Sequence, residues 1–167
     1  MADWDRRLMQ LAIHIGEWSK DRRRSVGCVI VGPHKEVRAT GFNGFPRGVD
    51  DVNDARQMPP DKYLWTEHAE RNAIYNAARV GISLAGCHLY VGWFPCMDCA
   101  RAIVQTGIQT VIAIRPDTND PQWGRSFRAA LELFDEVGIT VRYLDKEEDV
   151  PASEVTKGGR PVVAGDG

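Results

Sequence analysis

The chain has 167 residues, 43% of them hydrophobic and 26% charged, with a formal net charge of −2. That suffices for one domain with a true core; no apolar run approaches the roughly 20 residues of a bilayer span, and broad nucleic-acid binding, which wants a basic footprint, is disfavoured. Four cysteines at this length do not make a disulfide scaffold.

The charged start from Met1 to Arg7 argues against a secretory signal, so a cytoplasmic location is expected. Trp4, Leu8, Leu11, Ile15 and Trp18 recur at helical spacing and predict an amphipathic helix over 4–19. Arg22-Arg23-Arg24 follows as a short basic cluster, either a solvated loop or a phosphate contact. Val26 to Val31 and Val37 to Phe42 read as two strands of a hairpin turning at His34-Lys35. Residues 43–66 are rich in glycine, proline and aspartate and form a long loop, a kind that usually carries function, so it is placed over a binding site.

Thr66 is the expected cap of a helix whose inner face carries Ala69, Ala73, Ile74 and Ala77 and which Gly81 ends. Cys87 to Trp93 reads as a strand, 97–106 as a helix closed by Gly107, and Thr110 to Ile114 as a buried strand. Trp123, Phe127, Leu131 and Phe134 mark a last helix, stopped by Gly138, before a strand from Ile139 to Leu144. Helices alternating with strands after a hairpin predict an α/β protein: a mixed sheet of about five strands between helices, in three layers. One domain is expected over 1–145, with a C-terminal extension over 146–167 that is mobile at its end. Cys28 and Cys87 read as packing residues.

Chemistry concentrates in two motifs, His68-Ala69-Glu70 and Pro95-Cys96-Met97-Asp98-Cys99, each at a helix start. Zinc takes nitrogen and sulfur ligands, and a catalytic site keeps three from the protein with one position open. His68, Cys96 and Cys99 supply three, and no second pair of like spacing completes a closed site. A helix N-terminus favours the thiolate. Glu70 stands two residues from the histidine, where a carboxylate can take a proton from water and return it to substrate. H-x-E followed by P-C-x-x-C is the known signature of zinc deaminases, and this chain matches it in order and spacing. A zinc-stabilised protein without activity would retain the ligands but has no need of Glu70.

The stretches His68-Ala69-Glu70-Arg71-Asn72-Ala73-Ile74, Phe94-Pro95-Cys96-Met97-Asp98-Cys99-Ala100 and Gly41-Phe42-Asn43-Gly44-Phe45-Pro46-Arg47-Gly48 resemble the deoxycytidylate (dCMP) deaminase family over roughly residues 5–145. The resemblance implies a cytidine-deaminase-like α/β/α fold, one catalytic zinc ion, homo-oligomers, and conversion of dCMP to dUMP with release of ammonia. It implies that Asn43 meets the sugar, that Gly27 at the Val26-Gly27 strand end and the Pro95 backbone border the base, and that Arg23 is a phosphate contact. Arg79 is either a nucleotide contact or a solvent-facing helix-end arginine. Met97 stands where the family often has asparagine, and Arg115-Pro116-Asp117-Thr118 replaces a Tyr-Arg pair of some relatives; Trp123 and Arg125 either stand in for those contacts or pack. A nucleoside, free base or other amino-heterocycle is therefore the second substrate reading, with nucleic-acid editing behind it. Trp4, Trp18 and Trp123 exceed the needs of one small core and suit a subunit interface.

Overall fold

The computed structural model describes residues 3–50 and 52–144; the extension expected over 146–167 lies outside the described residues. Five strands form one mixed sheet in the order β2-β1-β3-β4-β5: β1 Gly27–Val31, β2 Val37–Phe42, β3 His88–Val91, β4 Thr110–Ile114 and β5 Thr140–Leu144. β1 runs antiparallel to both β2 and β3, whereas β3, β4 and β5 are parallel. The parallel pairs are bridged by α4 Met97–Gln105 and α5 Gly124–Glu136.

These two helices and α3 Ala69–Val80 bury one face of the sheet around Ile30, Leu89, Val91, Phe94, Val111, Phe127 and Phe134. On the other face α1, Asp3–Gly16, packs Leu8, Met9, Ala12 and Ile15 onto Val29, Tyr90 and Ile112. β1 and β4 are buried throughout, as strands covered on both faces must be, and they contain Cys28 at 0% exposure. Cys87, just before β3, is equally buried.

Two glycines set how closely helices approach. A Cβ on Gly27 would lie 1.9 Å from the Ala12 carbonyl oxygen of α1, and one on Gly41 would lie 2.3 Å from the Ala73 nitrogen of α3. α1 consequently ends at Gly16, short of the expected residue 19, where backbone meets backbone at Gly27. β3 stops at Val91, because Gly92 and Trp93 turn out of the sheet.

Residues 43–66 are not the structureless loop expected. They contain a 3-10 turn at Asp54–Arg56 and a short helix, α2, at Lys62–Trp65. Gly44 and Glu67 exchange both backbone hydrogen bonds (3.0 and 2.8 Å), pinning the two ends of the excursion together. Thr66 does not cap α3: it closes α2, its N–H donating to the Lys62 carbonyl, and His68 is the N-cap of α3. Gly81 ends α3 in the left-handed conformation at φ 74°, as expected.

Candidate active site

The connections after β2, β3 and β4 and the segment before β1 all reach one edge of the sheet, the carboxyl ends of its parallel strands, where open α/β sheets bind ligands. They enclose a cleft of about 280 Å³, near the lower bound of small-molecule sites, roughly 300–1,000 Å³.

His68 and Cys96 occupy equivalent places, the N-caps of α3 and α4, both in extended backbone and neither spending its side chain on capping. The orphan N–H of Met97 at the start of α4 is instead received by Ser126 Oγ of α5, at 2.8 Å. Cys99 follows one turn into α4, buried. The three donor atoms lie within 4.8 Å of one another, and His68 Nδ1 is 3.5 Å from both Sγ atoms. Zn–N of about 2.0 Å and Zn–S of about 2.3 Å at a tetrahedral angle separate nitrogen from sulfur by about 3.5 Å. The donor set fits zinc.

Electrostatics favour the ligating form of Cys96, while Cys99 and His68 must each give up a proton to the metal. The Cys96 thiol is brought down to about 4, chiefly by a hydrogen bond from Cys99 and further by His68, against the effect of burial. Cys99 correspondingly holds its proton, through its bond to Cys96 and its own burial. Burial opposes protonation of His68, but the Cys96 and Glu70 charges outweigh it and raise its pKa. Glu70, in the first turn of α3 and 4% exposed, lines the same cleft, and its pKa is raised above the ordinary carboxylate value by burial. Arg71 bridges Glu67 and Asp98, tying the start of α3 to that of α4.

The other expected site residues fare differently. Asn43 is buried in the cleft wall, but its amide serves the chain itself: Oδ1 accepts from Val26 N–H (2.8 Å), and Nδ2 donates to Asp21 Oδ2 (3.1 Å) and the Arg24 carbonyl (2.8 Å). A sugar hydroxyl could use only the second lone pair of Oδ1. Arg23 lines the cleft from its exposed rim. Gly27 does not: its open side faces α1, and Val26 takes the place at the wall. Pro95 is buried between two lining residues, Phe94 and Cys96. Arg79 sits exposed in the last turn of α3, about 16 Å from His68 at 1.5 Å per residue, and is not part of the cleft.

Lys62, Tyr63 and Trp93 line the cleft and escaped the sequence reading, whereas Arg24 belongs to the basic cluster and Trp123 was offered as a stand-in contact. Lys62 of α2 pairs with the buried Asp21 at 2.6 Å, and the Arg24 guanidinium lies 3.7 Å over the Trp93 ring centroid. Trp123 packs edge-on against both His68 (6.0 Å) and Tyr63 (6.2 Å), so of the two residues offered for the missing Tyr-Arg pair it reaches the cleft, whereas Arg125 does not line it. Of the residues missed, only the aromatic character of Trp93 gave any signal, and strand periodicity accounted for it equally well.

A mixed α/β sheet carrying three donors at zinc spacing with a buried glutamate beside them has the parts a metal-dependent hydrolase needs. Residues 2–115 match the model of the cytidine and deoxycytidylate deaminase zinc-binding region, and the chain belongs to that family of zinc-dependent hydrolytic deaminases. Relatives include an uncharacterized deaminase in the luxG 3′ region of Aliivibrio fischeri, 39% identical over 147 residues (86% of this chain, 95% of that one). The human deoxycytidylate deaminase is 35% identical over 145 residues, 84% of this chain and 79% of its own. The dCMP deaminase of cyanophage S-TIM5, solved with dCMP and dUMP, superposes with a TM-score of 0.70 at 24% identity, covering 86% of this chain and 98% of that one, a likeness of fold.

Proposed function

We propose that this enzyme converts dCMP to dUMP with release of ammonia, that His68, Cys96 and Cys99 hold its zinc ion, and that Glu70 is the catalytic carboxylate. The observation that carries the reading is the shared cleft: three soft donors at zinc spacing with a buried, protonatable carboxylate beside them. Relatives named deoxycytidylate deaminase, at 34–36% identity, supply the substrate. When bound, zinc contributes the Lewis acidity that makes water a competent nucleophile near neutral pH. Glu70 takes a proton from the attacking water and delivers it to N3 of the ring as the new C4–O bond forms. As the C4–N4 bond breaks, the same carboxylate passes the second proton to the departing nitrogen, which leaves as ammonia. A pKa raised by burial suits a group that must both accept and return a proton.

The test is ammonia release from dCMP, deoxycytidine, cytidine and cytosine by the zinc-loaded protein. The largest kcat/KM is expected for dCMP, and none from dCMP refutes the substrate. Glu70→Gln is expected to lower kcat by about 10²–10⁴-fold with zinc retained, whereas Cys96→Ser and Cys99→Ser lose the metal. We further take residues 1–145 as the catalytic unit, working as a cytoplasmic homo-oligomer. Among the described residues no helix is long and apolar enough to cross a membrane, and Trp4 and Trp18 are about half exposed. Sedimentation of the purified protein reads the assembly.

A further inference from the structure

The charged side chains lining the cleft are not equivalent. Lys62 is neutralised by Asp21, whose side chain is 3% exposed and which also accepts the backbone N–H groups of Arg23 and Arg24 (2.8 and 3.1 Å). Asp120 turns its carboxylate to the N–H groups of Gln122 and Trp123. Arg22, beside the cleft, is paired with Asp54 at 2.6 Å. Arg24 differs: among the described residues its guanidinium meets no acceptor, yet it is held in place three times over. Its N–H is bound by Asp21, its carbonyl by Asn43, and its guanidinium carbon lies 3.7 Å over the Trp93 ring centroid. A guanidinium held over a ring by this contact still has N–H donors to offer a bidentate acceptor.

We propose that Arg24, laid on Trp93, is a specificity-determining residue of the deaminase: it receives the anionic group that the substrate carries away from its amino-bearing ring. The inference rests on the proposed activity and adds to it the member of the Arg22-Arg23-Arg24 cluster that the family resemblance does not single out. Arg24 is exposed at the rim as Arg23 is, but an arginine already ordered on a ring loses less side-chain entropy on binding than one without that contact. The guanidinium also supplies the charge that Lys62, spent on Asp21, does not.

The experiment compares kcat/KM for dCMP with that for deoxycytidine in the zinc-loaded wild type, Arg24→Gln, Arg24→Lys, Trp93→Leu and Arg23→Gln. The dCMP preference is expected to fall about 10- to 100-fold in Arg24→Gln, the scale of a charge-assisted hydrogen bond. Trp93→Leu keeps the charge but frees it, and costs the preference about 2- to 5-fold; Arg24→Lys falls between. A preference unchanged within twofold in Arg24→Gln overturns the proposal, as does its loss in Arg23→Gln alone. Calorimetric titration with dUMP and deoxyuridine reads the same ratio without turnover: Arg24→Gln narrows the difference in affinity if the proposal holds and leaves it intact if not. A protein that releases no ammonia from dCMP therefore defeats the activity and leaves Arg24 still open to this measurement.

Discussion

Arg71 shows how one side chain can serve a metal site without touching the metal. It is partly buried, and although burial opposes its charge, the field of Cys99, Glu67 and Cys96 more than restores it. Removing that charge leaves the two sulfurs less compensated, and loss of such a partner typically costs about 10–100-fold in metal affinity. Arg71→Gln is expected to weaken zinc by about 10-fold in chelator competition, with Arg71→Lys milder. Lys62→Met strands the buried Asp21, which keeps its backbone and Asn43 donors, so the expected loss is about 1–3 kcal/mol in urea unfolding. At this scale the sequence was readable where chemistry dictates residue type at fixed spacing, as for His68, Glu70, Cys96 and Cys99. It was not readable where a contact joins distant segments. Arg24 and Trp93 are 69 positions apart by their numbers, and nothing local marks either as the other's partner.

Helix starts are the elements that assemble this site, and each is set by a neighbour. Ser126→Ala removes the acceptor for Met97 N–H, and the expected cost is about 1 kcal/mol of stability, the usual worth of an N-cap, with zinc held less firmly. Gly41→Ala drives a Cβ into the backbone of α3 between Ala69 and Ala73, so activity is expected to fall more than a mutation remote from the metal would predict; a stability loss of about 1–3 kcal/mol accompanies it. Element type followed from periodicity and was legible almost throughout. Boundaries were less so: the strand at 87–93 loses its last residues to the cleft, and the cap expected at Thr66 belongs to α2. In the first case the competing influence is tertiary, a demand for Trp93 at the cleft; in the second it is local, the bond from Thr66 N–H to the Lys62 carbonyl that closes α2.

Across the whole molecule, sheet order was foreseeable as a mixed five-stranded layer between helices, because a hairpin followed by right-handed crossovers leaves few alternatives. Acid sensitivity has an identifiable contributor at the far end of the sheet from the cleft. The His88 pKa is lowered first by burial and then by Lys35, and its Nδ1 is buried without a hydrogen-bond partner among the described residues. Above the unfolded pKa, near 6.5, both states are neutral and His88 contributes nothing to the pH dependence. As pH falls through that value the unfolded chain takes the proton more readily, so stability declines. Thermal unfolding at pH 7.5 and 5.5 is expected to show a smaller drop in Tm for His88→Asn than for the wild type.

The two backbone hydrogen bonds between Gly44 and Glu67 have a bearing on how this scaffold can be re-engineered. They act as a clasp, so whatever peptide lies between them starts and finishes at one point, and doubling its length costs only about 0.6 kcal/mol in closure entropy. The two ends of the cavity roof are thereby fixed, while Lys62 and Tyr63 still tie it to the floor through Asp21 and Trp123. A library of inserts cloned into that hoop could explore new substrates while the metal-bearing helices keep their register.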